Sequence, residues 1–274
     1  MANYTSRGLR LRYERVGSGP PVVLLHGISN HCLAWAPQLD ALIAAGYEAI
    51  LPDLAGHGHS AAVTATTTTQ DLAADVVALL DTLEVRAAAV CGLSLGGMVA
   101  QQLLVDHPER VTSALVASAG SNLTFPRAEQ MVASWTAVWL APDGPRRRLE
   151  ATWEGLASEA YRTSPPGRAF YASWWQLLGK VSGHALASVA AGLLSFDVTV
   201  ELPKVQVPVL AVAGEHDRLA GPPMVRQVAA QIPGARFEVI GDVQHLVNLE
   251  RLDRFNELLL EVLATPRPGQ PDTT

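Results

Sequence analysis

Along this chain, short runs of clustered or alternating apolar residues are separated by longer stretches in which they recur every three or four positions. The short runs predict strands at residues 9–16, 21–26, 47–51, 86–91, 113–118, 207–213 and 236–240. Between them, residues 71–83 place Leu72, Val76, Leu79, Leu80 and Leu83 on one side of a helix, and residues 96–107 and 225–232 repeat the pattern. Strands alternating with helices predict an α/β fold, a mostly parallel sheet covered on both faces. In the first run Leu9, Leu11 and Tyr13 alternate with Arg10, Arg12 and Glu14, as expected of an edge strand with one wet face. The later runs are more evenly apolar.

From 121 to 196 the strand pattern stops, and helical stretches are broken by Pro142-Asp143-Gly144-Pro145 and Ser164-Pro165-Pro166-Gly167. This predicts a helical cap inserted into a core made of residues 1–120 and 197–263. The cap holds five of the six tryptophans: Trp135, Trp139, Trp153, Trp174 and Trp175. Packing of cap on core accounts for most of them, and those left over are expected to line a substrate pocket. The tail, 264–274, carries three prolines among polar residues and is expected to be disordered.

Composition narrows the partners. At 274 residues with 49% hydrophobic and 17% charged positions, the chain can bury a large core. Its net charge of -6 argues against nucleic acid, and the one dense basic run, Arg146-Arg147-Arg148, stands beside acidic neighbours. An apolar leader is missing from the first residues, and so is any long uncharged span, so neither secretion nor a membrane is expected. Cys32 and Cys91 form no metal-ligand or disulfide pattern, which fits buried thiols in a reducing cytoplasm. A small-molecule substrate and a monomer or small homo-oligomer are the remaining expectations.

The chemistry concentrates at Gly92-Leu93-Ser94-Leu95-Gly96, which follows a strand and opens a helix. A strand-turn-helix elbow lifts the serine out of the backbone, and glycines flank it where side chains would collide. At the helix start the Leu95 amide is unpaired and is positioned to hold an oxyanion. Serine needs a base, and the base an orienting acid, in the order Ser, acid, His. Of eight histidines, His245 alone follows both candidate acids; His216 reads as a solvated loop residue. The strand ending at Gly214-Glu215-His216-Asp217 delivers the acid, with Asp217 preferred, Glu215 second, and Asp242 and Asp197 behind them. A second oxyanion amide is expected from His26-Gly27-Ile28, at Ile28 or else Ser29, with His26 holding that loop. His57 and His59 lack a third partner for a metal.

His26-Gly27, Asp53…Gly56-His57-Gly58…Ser60, the Ser94 elbow with Gly97, His107-Pro108-Glu109-Arg110-Val111, Gly214…Asp217 and His245 together resemble the α/β-hydrolase fold superfamily from about residue 9 to 263. The Cys91-Gly92-Leu93-Ser94 elbow and short cap resemble 3-oxoadipate enol-lactone hydrolases and related small esterases. The resemblance implies an eight-stranded sheet, a cap between strands six and seven, and no cofactor. The cap departs from the enol-lactone enzymes, and its tryptophans suit a bulkier apolar or aromatic ester or lactone. The same fold also hosts C–C bond hydrolases, lyases, cyclases, perhydrolases and ligand receptors.

Overall fold

The run Val22-Val23-Leu24-Leu25 is buried throughout because both faces of its strand are covered. Successive side chains point to opposite faces: Val23 and Leu25 enter one apolar cluster, Val22 and Leu24 another. A computed structural model describes residues 2–265 of the chain. Its eight strands are β1 (Ala2–Ser6), β2 (Leu9–Gly17), β3 (Pro21–Leu25), β4 (Glu48–Pro52), β5 (Ala88–Leu93), β6 (Val111–Ala117), β7 (Val209–Gly214) and β8 (Arg236–Ile240). They form one sheet in the order β1-β2-β4-β3-β5-β6-β7-β8. The pairs β1–β2 and β2–β4 are antiparallel and the rest parallel.

The first predicted strand is not at the edge. β1 covers β2 through a two-residue turn, Arg7-Gly8, whose φ values of 47° and 75° match a tight hairpin turn. Its sequence, Ala-Asn-Tyr-Thr-Ser, carries no apolar alternation, so main-chain pairing rather than pattern makes it a strand. Arg12, expected on a wet face, is instead buried and ion-paired with Asp53 at 3.1 Å.

The helices are α1 (Leu39–Ala44), α2 (Thr69–Thr82), α3 (Leu95–Asp106), α4 (Ala128–Trp139), α5 (Gly144–Leu156), α6 (Glu159–Thr163), α7 (Pro165–Leu178), α8 (Gly183–Gly192), α9 (Pro222–Gln231), α10 (Val247–Glu250) and α11 (Leu252–Leu263). On α2, Leu72, Val76, Leu79 and Leu80 are buried, and Thr68 and Asp71 close a capping box at its start. Helices α4 to α8 fill the connection between β6 and β7, where the strand pattern stops. Among the described residues no single helix is long and apolar enough to cross a membrane. Apart from Ala264 and Thr265, the tail expected to be disordered lies outside the described residues.

Candidate active site

Ser94 joins β5 to α3 with φ 56° and ψ -117°, a left-handed backbone that an ordinary side chain avoids. Its amide donates to Ala117 O at 2.9 Å on β6, which ties the strained residue to the sheet. The flanking glycines permit the turn. A Cβ on Gly92 would strike Gly96 O, and one on Gly96 would strike Leu25 O, in both cases backbone that cannot move aside. The turn presents the partly exposed Ser94 to a cavity at the carboxyl ends of the parallel strands.

Asp217 and His245 come from the loops after β7 and β8, and both are buried. His245 Nδ1 donates to Asp217 Oδ2 at 2.8 Å, the only direction open when the acceptor is a carboxylate. Asp217 Oδ1 accepts from the amides of Leu219 at 2.8 Å and Ala220 at 3.0 Å. Burial raises the Asp217 carboxyl, but His245 and those amides more than offset it and hold it below the usual carboxylate range. The His245 loop is fixed in turn: the amides of His245 and Leu246 both donate to Leu156 O at 3.1 Å, at the end of α5. Beside it, half-buried Glu250 accepts from the Gln244 amide at 3.0 Å and the Ser158 amide at 2.7 Å.

The competing acids point elsewhere. Glu215 is exposed and accepts from the Asp242 amide at 3.0 Å. Asp197 accepts from Thr199 N and Oγ1. Asp242 pairs with Arg251, and His216 is exposed.

Ser94, His245, Gly27, Ile28 and Ser29 line one cavity of about 380 Å³. Gly27 passes close to the serine, with room for a Cβ only 3.5 Å from Ser94 Cβ. Among the described residues the Ile28 and Leu95 amides donate no hydrogen bond, so both are free to meet a ligand oxygen. Ser94 Oγ and His245 share the cavity without a direct hydrogen bond between them, a contact that commonly tightens only when substrate binds.

Beneath the cavity floor, His26 Nε2 accepts from the Leu54 amide at 3.1 Å, so its proton sits on Nδ1, which donates to Gly27 O at 2.8 Å. This bond, not base chemistry, is what His26 contributes. Burial pushes both His26 and its neighbour His57 far down, His57 to about 4, so both rings are neutral at pH 7. His57 Nδ1 lies 3.0 Å from Ala55 O.

Residues 20–252 match the alpha/beta hydrolase fold family. This chain belongs to that family. Among curated proteins, the alpha/beta hydrolase fold chain is 33% identical over 259 residues to the dihydrolipoyllysine-residue acetyltransferase component of the acetoin cleaving system of Cupriavidus necator. That match covers 92% of this chain and 66% of the relative, so the chain spans just under two thirds of that protein's length. It is 25% identical over 268 residues to 3-oxoadipate enol-lactonase 2 of Acinetobacter baylyi, covering 94% and 95% of the two chains. Of solved structures, the enol-lactonase from Burkholderia xenovorans superposes with a TM-score of 0.89 at 26% identity, over 96% of this chain and all of that one. The resemblance to the alpha/beta hydrolase fold superfamily and its enol-lactonases, and the eight-stranded fold it implies, therefore hold.

Of the five tryptophans considered for a pocket, Trp135 and Trp174 line this cavity. The other three do not, and pack instead. Trp139 is buried beneath Trp135, with ring centroids 6.2 Å apart. Trp153 packs among Phe170, Tyr171 and Trp174, and Trp175 lies against Tyr171 with the Arg146 guanidinium 5.5 Å from its ring centroid. Aromatic packing between cap helices claims them. Trp174 has a second role, since its Nε1 donates at 2.7 Å to Ser29 O in the loop facing Ser94.

Arg148, Glu250 and Met224 were not anticipated at or beside the site. For Arg148 a signal existed: on α5 it shares a helical face with Leu149, Thr152, Gly155 and Leu156, all lining the cavity. Glu250 gave none, because its partners are backbone amides, one of them, Ser158, 92 residues away.

Proposed function

We propose that this chain is a serine hydrolase cleaving a carboxylic ester or lactone, with Ser94 as nucleophile, His245 as general base and Asp217 as the acid that orients the base. The observation that carries the reading is the 2.8 Å Asp217–His245 pair opening onto the same cavity as the strained Ser94. In the first step His245 takes the Ser94 proton as Oγ attacks the carbonyl carbon. The oxyanion is received by the free amides of Leu95 and Ile28, and His245 returns the proton to the departing alkoxide. Water, deprotonated by His245, then attacks the acyl-enzyme and releases the acid, restoring Ser94.

Residues 121–196 act as the cap over a core of 1–120 and 197–263, no cofactor takes part, and the protein works in the cytoplasm as a monomer or small homo-oligomer on a small molecule. The mostly apolar lining, including Leu93, Met98, Leu123, Phe125 and Trp135, supports an apolar body for the substrate. The test is a fluorophosphonate probe followed by peptide mass spectrometry, with p-nitrophenyl esters of increasing acyl length assayed in parallel. Labelling at Ser94, and turnover lost by several orders of magnitude in both Ser94→Ala and His245→Ala, is expected. A folded protein that neither labels nor turns over any ester would defeat the reading.

A further inference from the structure

Arg148 sits on α5 with its guanidinium against the faces of Trp135 and Trp139, 4.7 Å and 5.0 Å from their ring centroids. It lines the cavity that holds Ser94 and His245. The other arginines that are not exposed each hold a carboxylate: Arg12 with Asp53, Arg110 with Asp81, Arg146 with Asp143 and Arg162 with Glu154. Arg148 holds none, and among the described residues no Asp or Glu lines the cavity. A second arginine without an ion pair, Arg218, lines the same cavity from its exposed side. A chain of net charge -6 thus places two unpaired cations and, among the described residues, no carboxylate in the lining of the apolar cavity that holds Ser94.

Charges taken out of water are ordinarily paired, because the unpaired state loses hydration without a Coulombic return. Burial pushes the Arg148 guanidinium down to about 10, which leaves it protonated at neutral pH. The two indoles fix the plane of the guanidinium and attract its charge, but a ring face accepts none of its five N–H donors in the forked geometry that a carboxylate matches.

We infer that Arg148 is an anion-binding subsite, and that the molecule cleaved at Ser94 carries a carboxylate beyond the apolar segment next to its scissile bond. The inference rests on the hydrolase reading for the word cleaved, but not for the binding of the anion. Arg218 adds a screened, longer-range attraction at the cavity wall.

The experiment compares mono-p-nitrophenyl glutarate with p-nitrophenyl pentanoate, two esters that differ in a terminal carboxylate. The wild type is expected to favour the anionic ester in kcat/KM. Arg148→Met should lower kcat/KM for the anionic ester by about 10- to 100-fold, the range of a charge-assisted hydrogen bond, and change the neutral ester by less than about threefold. Arg148→Lys, which keeps charge but not the fork, should fall between. Equal losses on both esters in both variants would make Arg148 a structural clamp and overturn the inference, as would a wild type that prefers the neutral ester. Calorimetric titration of glutarate into Ser94→Ala separates this result from the fate of the hydrolase reading. Glutarate binding that disappears in Ser94→Ala/Arg148→Met, with no ester turned over by the wild type, would uphold the subsite and sink the hydrolase. Ester turnover without glutarate binding or anionic preference would do the reverse.

Discussion

The serine elbow at 92–97 and the cap helix α5 face the same cavity, yet they are built on opposite terms. At the elbow, backbone is packed on backbone. Gly92, Gly96 and Leu25 leave no volume for a side chain, and Ser94 is held at φ 56° by the sheet around it. On α5 the site is made of side chains. Arg148 is placed by two tryptophan faces, and Gly155 borders open space where an added Cβ meets nothing within 4 Å. The contrast teaches that the elbow is fixed by rigid main chain, whereas the cavity wall on α5 is made of side chains that can change with less disturbance to the fold.

The sharpest way to break this division is at the Asp217–His245 pair, which the core should require and its neighbours should not. Asp217→Asn keeps the amide contacts to Oδ1 but presents an N–H to His245 Nδ1, forcing the wrong tautomer. Turnover should fall by on the order of 10⁴, the loss seen for the same change in another serine enzyme, while Glu215→Gln stays within about twofold. Ester kinetics on both variants check it, and equal losses would mean the acid has been misassigned.

Next in size is Gly96→Ala, whose methyl group would meet the backbone of Leu25. We expect a loss of about 3 kcal/mol or more in unfolding free energy, measured by urea denaturation, with activity lost alongside. The buried pair His26 and His57 gives a smaller, pH-dependent effect. Both lie below their unfolded value near about 6.5, so the unfolded chain binds more protons. Their contribution is therefore complete above about pH 6.5 and is lost as pH falls toward about 4, by up to about 1.4 kcal/mol per pH unit for each ring. Thermal melts between pH 7 and 4.5 should show this slope, and His57→Gln should flatten it. Smallest is the counterpart in the cap: Gly155→Ala, in the last turn of α5 and unopposed, should stabilise by up to about 0.5 kcal/mol. A destabilisation as large as that of Gly96→Ala would erase the distinction between the two regions.

Legibility in the sequence follows the same division. Seven of the strands, the elbow, a chain order of serine, then acid, then histidine, and the helical insertion could all be read because each rests on local rules: apolar period, turn chemistry and chain order. β1 escaped because its strand character comes from pairing with β2, and the buried Arg12 escaped because its partner Asp53 is 41 residues away. In the cap, periodicity marked helices but not which tryptophan met the cavity. Trp139, Trp153 and Trp175 are equally apolar in the sequence and are taken up by neighbouring rings.

By itself, then, the sequence determined the fold and the chemical groups on offer, since hydrophobic period and glycine placement constrain the backbone within a few residues of themselves. Only the tertiary structure decided that His245 meets Asp217 rather than Glu215, that Trp174 holds Ser29, and that Arg148 faces the cavity without a counter-charge. Those outcomes depend on distances between residues far apart in the chain, set by packing of whole elements, and no local pattern carries that information.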